Sequence, residues 1–258
     1  MHRALCLALA VWPTALMAEP LFPNSVVSND IDFISDSDPS AFYCLTYFGT
    51  AQKEMPDKRG GDLFADGVYE FEAWFTDGTA VGIWVHPDLG SMGAAEEVAE
   101  QVTGPLGRLP SFMREVLNHV VIHKGDETAF AEDLGHFFVL YDGNMKKRLA
   151  TRDLEETVFH EAVHATLDHE IANGDLWLGA QLADGTFVTD YAAANPTQED
   201  LAETALFALT YFRHPERLPD NMPDTLEALI PNRLALLDQL FGPDQILQRE
   251  ADDLEDCP

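Results

Sequence analysis

Asp153-Leu154-Glu155-Glu156-Thr157-Val158-Phe159-His160-Glu161-Ala162-Val163-His164-Ala165-Thr166-Leu167-Asp168-His169 contains neither proline nor glycine. Its apolar residues, Leu154, Val158, Phe159, Ala162, Val163, Ala165 and Leu167, predict a helix buried over most of its circumference. One polar stripe remains, formed by His160, Glu161, His164 and Asp168. Polar groups on an otherwise buried helix are costly unless they are paired or bind a metal. His160 and His164 stand at i and i+4, on one face, so both imidazoles can reach a single ion. Glu161, beside them, can take a proton from a water activated at that ion, which is the H-E-x-x-H arrangement. The competing reading is an ordinary helix whose two histidines are hydrogen-bonded on a wet face and bind nothing.

A catalytic site of this kind normally takes a third protein ligand. After Asn195-Pro196-Thr197 the chain runs Gln198-Glu199-Asp200-Leu201-Ala202-Glu203-Thr204-Ala205-Leu206-Phe207-Ala208-Leu209-Thr210-Tyr211-Phe212. Thr197 serves as an expected N-cap, acidic residues fill the first turn, and apolar residues recur at helical spacing. Glu199 and Glu203 lie one turn apart on the same face. One can bind the metal while the other accepts the free imidazole N–H of a ligating histidine and fixes its tautomer.

These windows resemble the gluzincin zinc metallopeptidases, of the thermolysin-like and anthrax lethal factor-like kinds. The likeness covers His160 to Asp168, as H-E-x-x-H-A-x-x-D, and Tyr191 to Phe207, as Y-x7-E-D-L-A-E-x-x-L-F. It is local. The resemblance implies Zn2+ held by His160, His164 and Glu199, with Glu203 and Asp168 supporting the ligands from behind. It further implies Glu161 as the general base, Tyr191 as donor to the oxyanion, and a peptide or protein substrate. Between Tyr191 and the helix of Glu199 there is one residue more than in the family. The fold implied is α+β and zincin-like: an N-terminal lobe with a small mixed sheet and the metal helix, then a mainly helical C-terminal lobe, divided at about residue 170. In that family an edge strand beside the cleft holds the substrate extended. The segment His136–Tyr141 is the candidate here, set against its reading as a buried core strand.

Around this site the chain reads as follows. Met1-His2-Arg3, an apolar run from Ala4 to Met17, and Ala18-Glu19-Pro20 describe a signal peptide over 1–18 and an exported protein, periplasmic or secreted. Residues 19–258 then form one domain. Cys44 and Cys257 are the cysteines left after the signal, and an oxidising compartment suits a disulfide between them. Lys and Arg number 15 against 45 Asp and Glu, a net charge of −30 that repels nucleic acid and anionic membranes. No later segment is long and apolar enough to insert in a bilayer. No EF-hand loop accompanies the acidic residues.

Residues 19 to about 40 are rich in Ser, Asp and Asn and predict irregular structure. Val68–Phe75 and Ala80–Val85, joined by Asp77-Gly78, predict a hairpin. Helices are expected over Met92–Val102, broken at Gly104-Pro105, and over Ser111–Asn118, with a strand at Val120–His123. Lys146-Lys147-Arg148 reads as capping a turn before the metal helix. Asp224–Ile230 and, past Pro231, Asn232–Phe241 predict two more helices, ahead of an acidic tail from Ala251. Two other functions fit the same residues: a zinc amidase acting on cell-wall peptides, and an exported zinc-binding protein without catalysis.

Overall fold

Val81, Ile83 and Val85 are buried while Ala80, Gly82 and Trp84 are less so, the period-two pattern of a strand with one face in the core. This strand, β3 (Ala80–Val85), follows β1 (Phe42–Glu54) and β2 (Phe64–Phe75) in a computed structural model that describes residues 19–28, 30–253 and 257. The expected signal peptide and most of the acidic tail lie outside the described residues. β1, β2 and β3 pair antiparallel in sequence order. The hairpin turns at Asp77-Gly78, where Gly78 takes φ +81°, a left-handed conformation that glycine adopts without strain. β4 (His119–His123) and β6 (Phe137–Tyr141) add in parallel, and β5 (Phe130–Glu132) closes the row antiparallel to β6. The six-stranded mixed sheet has the order β1-β2-β3-β4-β6-β5.

Every residue of β4 and β6 is buried, as expected for interior strands covered on both faces. His136–Tyr141 is therefore not the edge strand; that place belongs to β5, too short to carry a period of its own. One sheet face packs under α1 (Met92–Arg108), with α2 (Ser111–Val116) alongside β3. α1 runs through the expected break: Pro105 lies inside it, next to buried Val102 and Leu106, where packing outweighs the missing amide donor. Likewise Lys146-Lys147-Arg148 does not cap a turn. It sits in α3 (Asp142–Thr151), which Arg148 joins to Asp153 at 3.1 Å.

α4 (Leu154–Leu167) is the axis of the molecule, touching α1, α2, α3, β5, β6 and the helix α7 (Asp200–Arg213). All its residues but His164 are buried. Its end widens into a π-helical turn over Asp168–Ala172. Only helices follow among the described residues: α5 (Asp175–Asp184), α6 (Asp190–Ala194), α7, α8 (Met222–Leu229) and α9 (Pro231–Phe241). α7 begins two residues later than Thr197 would set it; Glu199 is its N-cap, because Asn195 O accepts the amides of Gln198 and Glu199 in a turn before the helix. Buried Arg233 ties α9 to Asp184 of α5 and Asp200 of α7. A disulfide joins Cys44 of β1 to Cys257. One apolar cluster runs from the sheet through α1, α4, α7 and α9, the mark of an α+β fold with a shared core. No helix among the described residues is long and apolar enough to cross a membrane.

The N-terminal segment is irregular except for a single 3-10 turn at Val26–Ser28 and a bridge from Phe22 to Thr189. It is held against α4 by Glu156, whose carboxylate accepts the amide of Ile34 at 3.0 Å. Burial pushes the Glu156 carboxyl up to about 8. The fold thus favours its protonated form, and this contribution to stability is full below about pH 4.5 and fades as pH rises towards 8. We expect the unfolding free energy to fall across that window by an amount on the order of a few kcal/mol. Urea melts from pH 5 to 8 should show Glu156→Gln with a flatter profile; parallel profiles would contradict the assignment.

Candidate metal centre

α4 and α7 cross so that three side chains meet. His160 Nε2 and His164 Nε2 lie 3.2 Å apart, and Glu199 Oε2 stands 3.3 Å from the first and 3.2 Å from the second. His164 sits one helical turn after His160, and Glu199 arrives from the N-cap of α7. These three residues could hold a metal ion. The spacing suits one: donors about 2.0–2.1 Å from a tetrahedral ion stand roughly 3.3–3.4 Å from one another.

The donor set argues the same way. Asp168 Oδ2 lies 2.6 Å from His164 Nδ1, and a carboxylate only accepts, so neutral His164 carries its proton on Nδ1 and a lone pair on Nε2. That lone pair faces the carboxylate oxygen of Glu199 at 3.2 Å. Two acceptors held at that distance repel unless a proton or a cation lies between them. Four carboxylates, Glu161, Asp168, Glu199 and Glu203, surround the two imidazoles, which favours a cation of more than one charge.

The sequence left Glu199 and Glu203 as rivals, and the structure separates them. Glu203 lies behind the ring of His160, its Oε1 3.6 Å from Nδ1, too far for a hydrogen bond. Buried His160 Nδ1 has no hydrogen-bond partner. Glu203 is itself wholly buried and held by Ser25 Oγ at 2.5 Å, the amide of Val26 at 2.9 Å and Thr189 Oγ1 at 2.7 Å. Tyr191, on α6, donates its hydroxyl to Glu199 Oε1 at 2.9 Å, the oxygen turned away from the histidines. Burial raises the Tyr191 phenol above its ordinary range, and the Glu199 charge adds to that. Burial also pushes the Glu161 carboxyl up, with the nearby histidines pulling it back down. At Glu199 burial acts in the same upward direction, but in the ion-free site the histidines, when protonated, donate to it and hold it well below the usual range. Asp168 and Glu199 in turn raise His164, against its burial, so a proton on Nε2 takes the place between the two that a cation would otherwise fill.

His160, Glu161, His164, Asp168, Tyr191 and Glu199 all line one open cleft of about 640 Å³. Three of its other walls were not legible in the sequence. Ser25 lies in a stretch with no periodic signal. Thr128–Ala131 leads into the short β5, and Lys58 sits in the loop after β1. No family model, curated protein or solved structure matches this chain.

Calorimetric titration with a divalent cation should give one equivalent per chain, and His160→Ala or Glu199→Ala should abolish it. At a hundredfold excess over Kd the ion should stabilise the fold by about 2.7 kcal/mol, read as a rise in Tm that a chelator reverses. Equal metal uptake by either variant would refute the ligand assignment.

Proposed function

We propose that this protein is an exported, zinc-dependent metallopeptidase of zincin-like build, with its cleft between lobes that divide near residue 170. The observation that carries the reading is the convergence of His160 Nε2, His164 Nε2 and Glu199 Oε2 within 3.3 Å of one another, beside a buried glutamate and inside an open cleft. Two imidazoles and one carboxylate form a zinc donor set of the catalytic kind. When bound there, Zn2+ would supply Lewis acidity, polarising a carbonyl and lowering the pKa of water towards neutrality.

The chain's own groups supply the rest. Glu161, one residue from His160 and raised by burial, takes the proton of the attacking water and passes it to the leaving amine. Tyr191 leaves Glu199 Oε1 to donate to the oxyanion of the tetrahedral intermediate. Asp168 orients His164, while Glu203 backs His160. β5, with no strand on its outer side among the described residues and Thr128–Ala131 on the cleft wall, offers main-chain groups to an extended peptide. Export is supported by the basic-then-apolar composition of residues 1–18 and by the Cys44–Cys257 disulfide.

Quenched-fluorescence peptide libraries should be cleaved by the zinc-loaded protein. Glu161→Gln should keep its zinc and lose at least about 100-fold in kcat/KM. An active Glu161→Gln variant rules out the base. Bound zinc with no cleavage of any peptide by the wild type favours a binding protein, and cleavage confined to cell-wall peptides favours an amidase.

A further inference from the structure

Lys58 is a cation fixed on the wall of the metal cleft without an acid of its own. Its amide donates to Tyr141 Oη at 2.9 Å, and that hydroxyl donates to Asp57 Oδ1 at 3.0 Å, so the residue's root is pinned to the end of β6. Its ammonium donates to Thr128 Oγ1 at 3.0 Å and to Ala129 O at 2.7 Å, and lies 5.3 Å from the centre of the Phe130 ring. Both acceptors are neutral. An ammonium has three N–H groups, so one donor is left to serve something else, and the charge, which reaches Glu161 only through space, has no acid in contact with it.

The rest of the molecule makes this unusual. Ten of the fourteen described Lys and Arg residues lie within 4.0 Å of an acidic oxygen. The four that do not are Lys58, Lys124, Arg152 and Arg213, and Arg213 is spent on the carbonyls of Phe241, Gly242 and Gln245. Of the four, Lys58 alone lines the metal cleft. In a chain with three times as many acids as bases, a cation held in place by neutral acceptors, with no acidic oxygen within 4.0 Å and with its charge reaching Glu161 only through space, marks a site for an incoming anion. The net charge of −30 acts at longer range and is screened beyond about 8 Å at physiological salt, so the fixed ammonium sets the local preference.

We propose that Lys58 is a specificity residue that binds a substrate carboxylate beside the scissile bond. This rests on the peptidase reading above. The carboxylate belongs either to an acidic side chain or to a free C-terminus; the chemistry is shared, and the substrates separate the two. A hydrogen bond between charged partners is worth roughly 10- to 100-fold in affinity.

Matched peptides decide it: a neutral parent, versions carrying Glu on either side of the cleaved bond, and each with a free or amidated C-terminus. Zinc-loaded wild type should prefer the carboxylate-bearing partner by about 10- to 100-fold in kcat/KM, chiefly through KM. The ratio should collapse towards one in Lys58→Gln, recover in part in Lys58→Arg, and persist in the charge control Lys124→Gln. A ratio that follows Glu identifies a side chain; one that follows amidation identifies the terminus. Zinc stoichiometry confirms that each variant is folded. A wild-type ratio near one, or a ratio unmoved by Lys58→Gln, overturns the proposal. If no peptide is cleaved the hydrolase reading fails separately, and fluorescence anisotropy of the same peptides on zinc-loaded protein applies the same ratio test to binding.

Discussion

The convergence of two imidazoles and a carboxylate on one point is the constraint around which this molecule is organised. His164 and Glu199 face each other at 3.2 Å with His160 completing the triangle, and Asp168 occupies the only proton His164 has to offer when neutral. With both imidazoles neutral that arrangement is unfavourable in the bare polypeptide, and either a proton on His164 or a cation at the centre relieves it. The surrounding structure serves to keep the triangle from relaxing. α4 is buried on nearly every side, α7 is locked to α5 and α9 through Arg233, and neither helix can rotate its donors away without breaking a packed core.

The segment after residue 19 is part of that restraint and not a loose leader. Ser25 and Val26 grip Glu203, Phe22 stacks on Phe207 of α7 at 5.0 Å, and Phe33 meets the same ring edge-on at 4.9 Å. Arg148 of α3 reaches back to the carbonyl of Val27. The carboxylate that stands behind His160 is thus steadied from a part of the chain almost 180 residues away. Such supports matter because a ligand free to swing loses much of its value to the ion.

The sequence carried the centre of the site because its spacing is dictated by helix geometry. His160 and His164 had to share a face, and the apolar pattern around them had to be helical. The sheet's interior strands and the β2–β3 hairpin were legible for the same reason, each having a period or a turn signal. What escaped was set by tertiary packing. β1 mixes polar and apolar residues along a half-exposed strand, so its thirteen residues show no clean alternation. β5 has three residues and depends on its neighbour β6 for its existence. Pro105 and Thr197 are strong local signals that lost, one to the packing of α1 on the sheet and the other to a turn closed by Asn195. Lys58 lies in a loop, where only the fold could show that it lines the same cleft as His160, His164 and Glu199.

The central claim concerns the ion's immediate surroundings, and zinc-edge X-ray absorption on protein purified without a histidine tag reports them directly. A tightly held zinc is expected, with two imidazole nitrogens at about 2.0–2.1 Å and a carboxylate oxygen at about 2.0–2.2 Å. A shell of solvent oxygens alone, or protein that takes up no zinc, would contradict it.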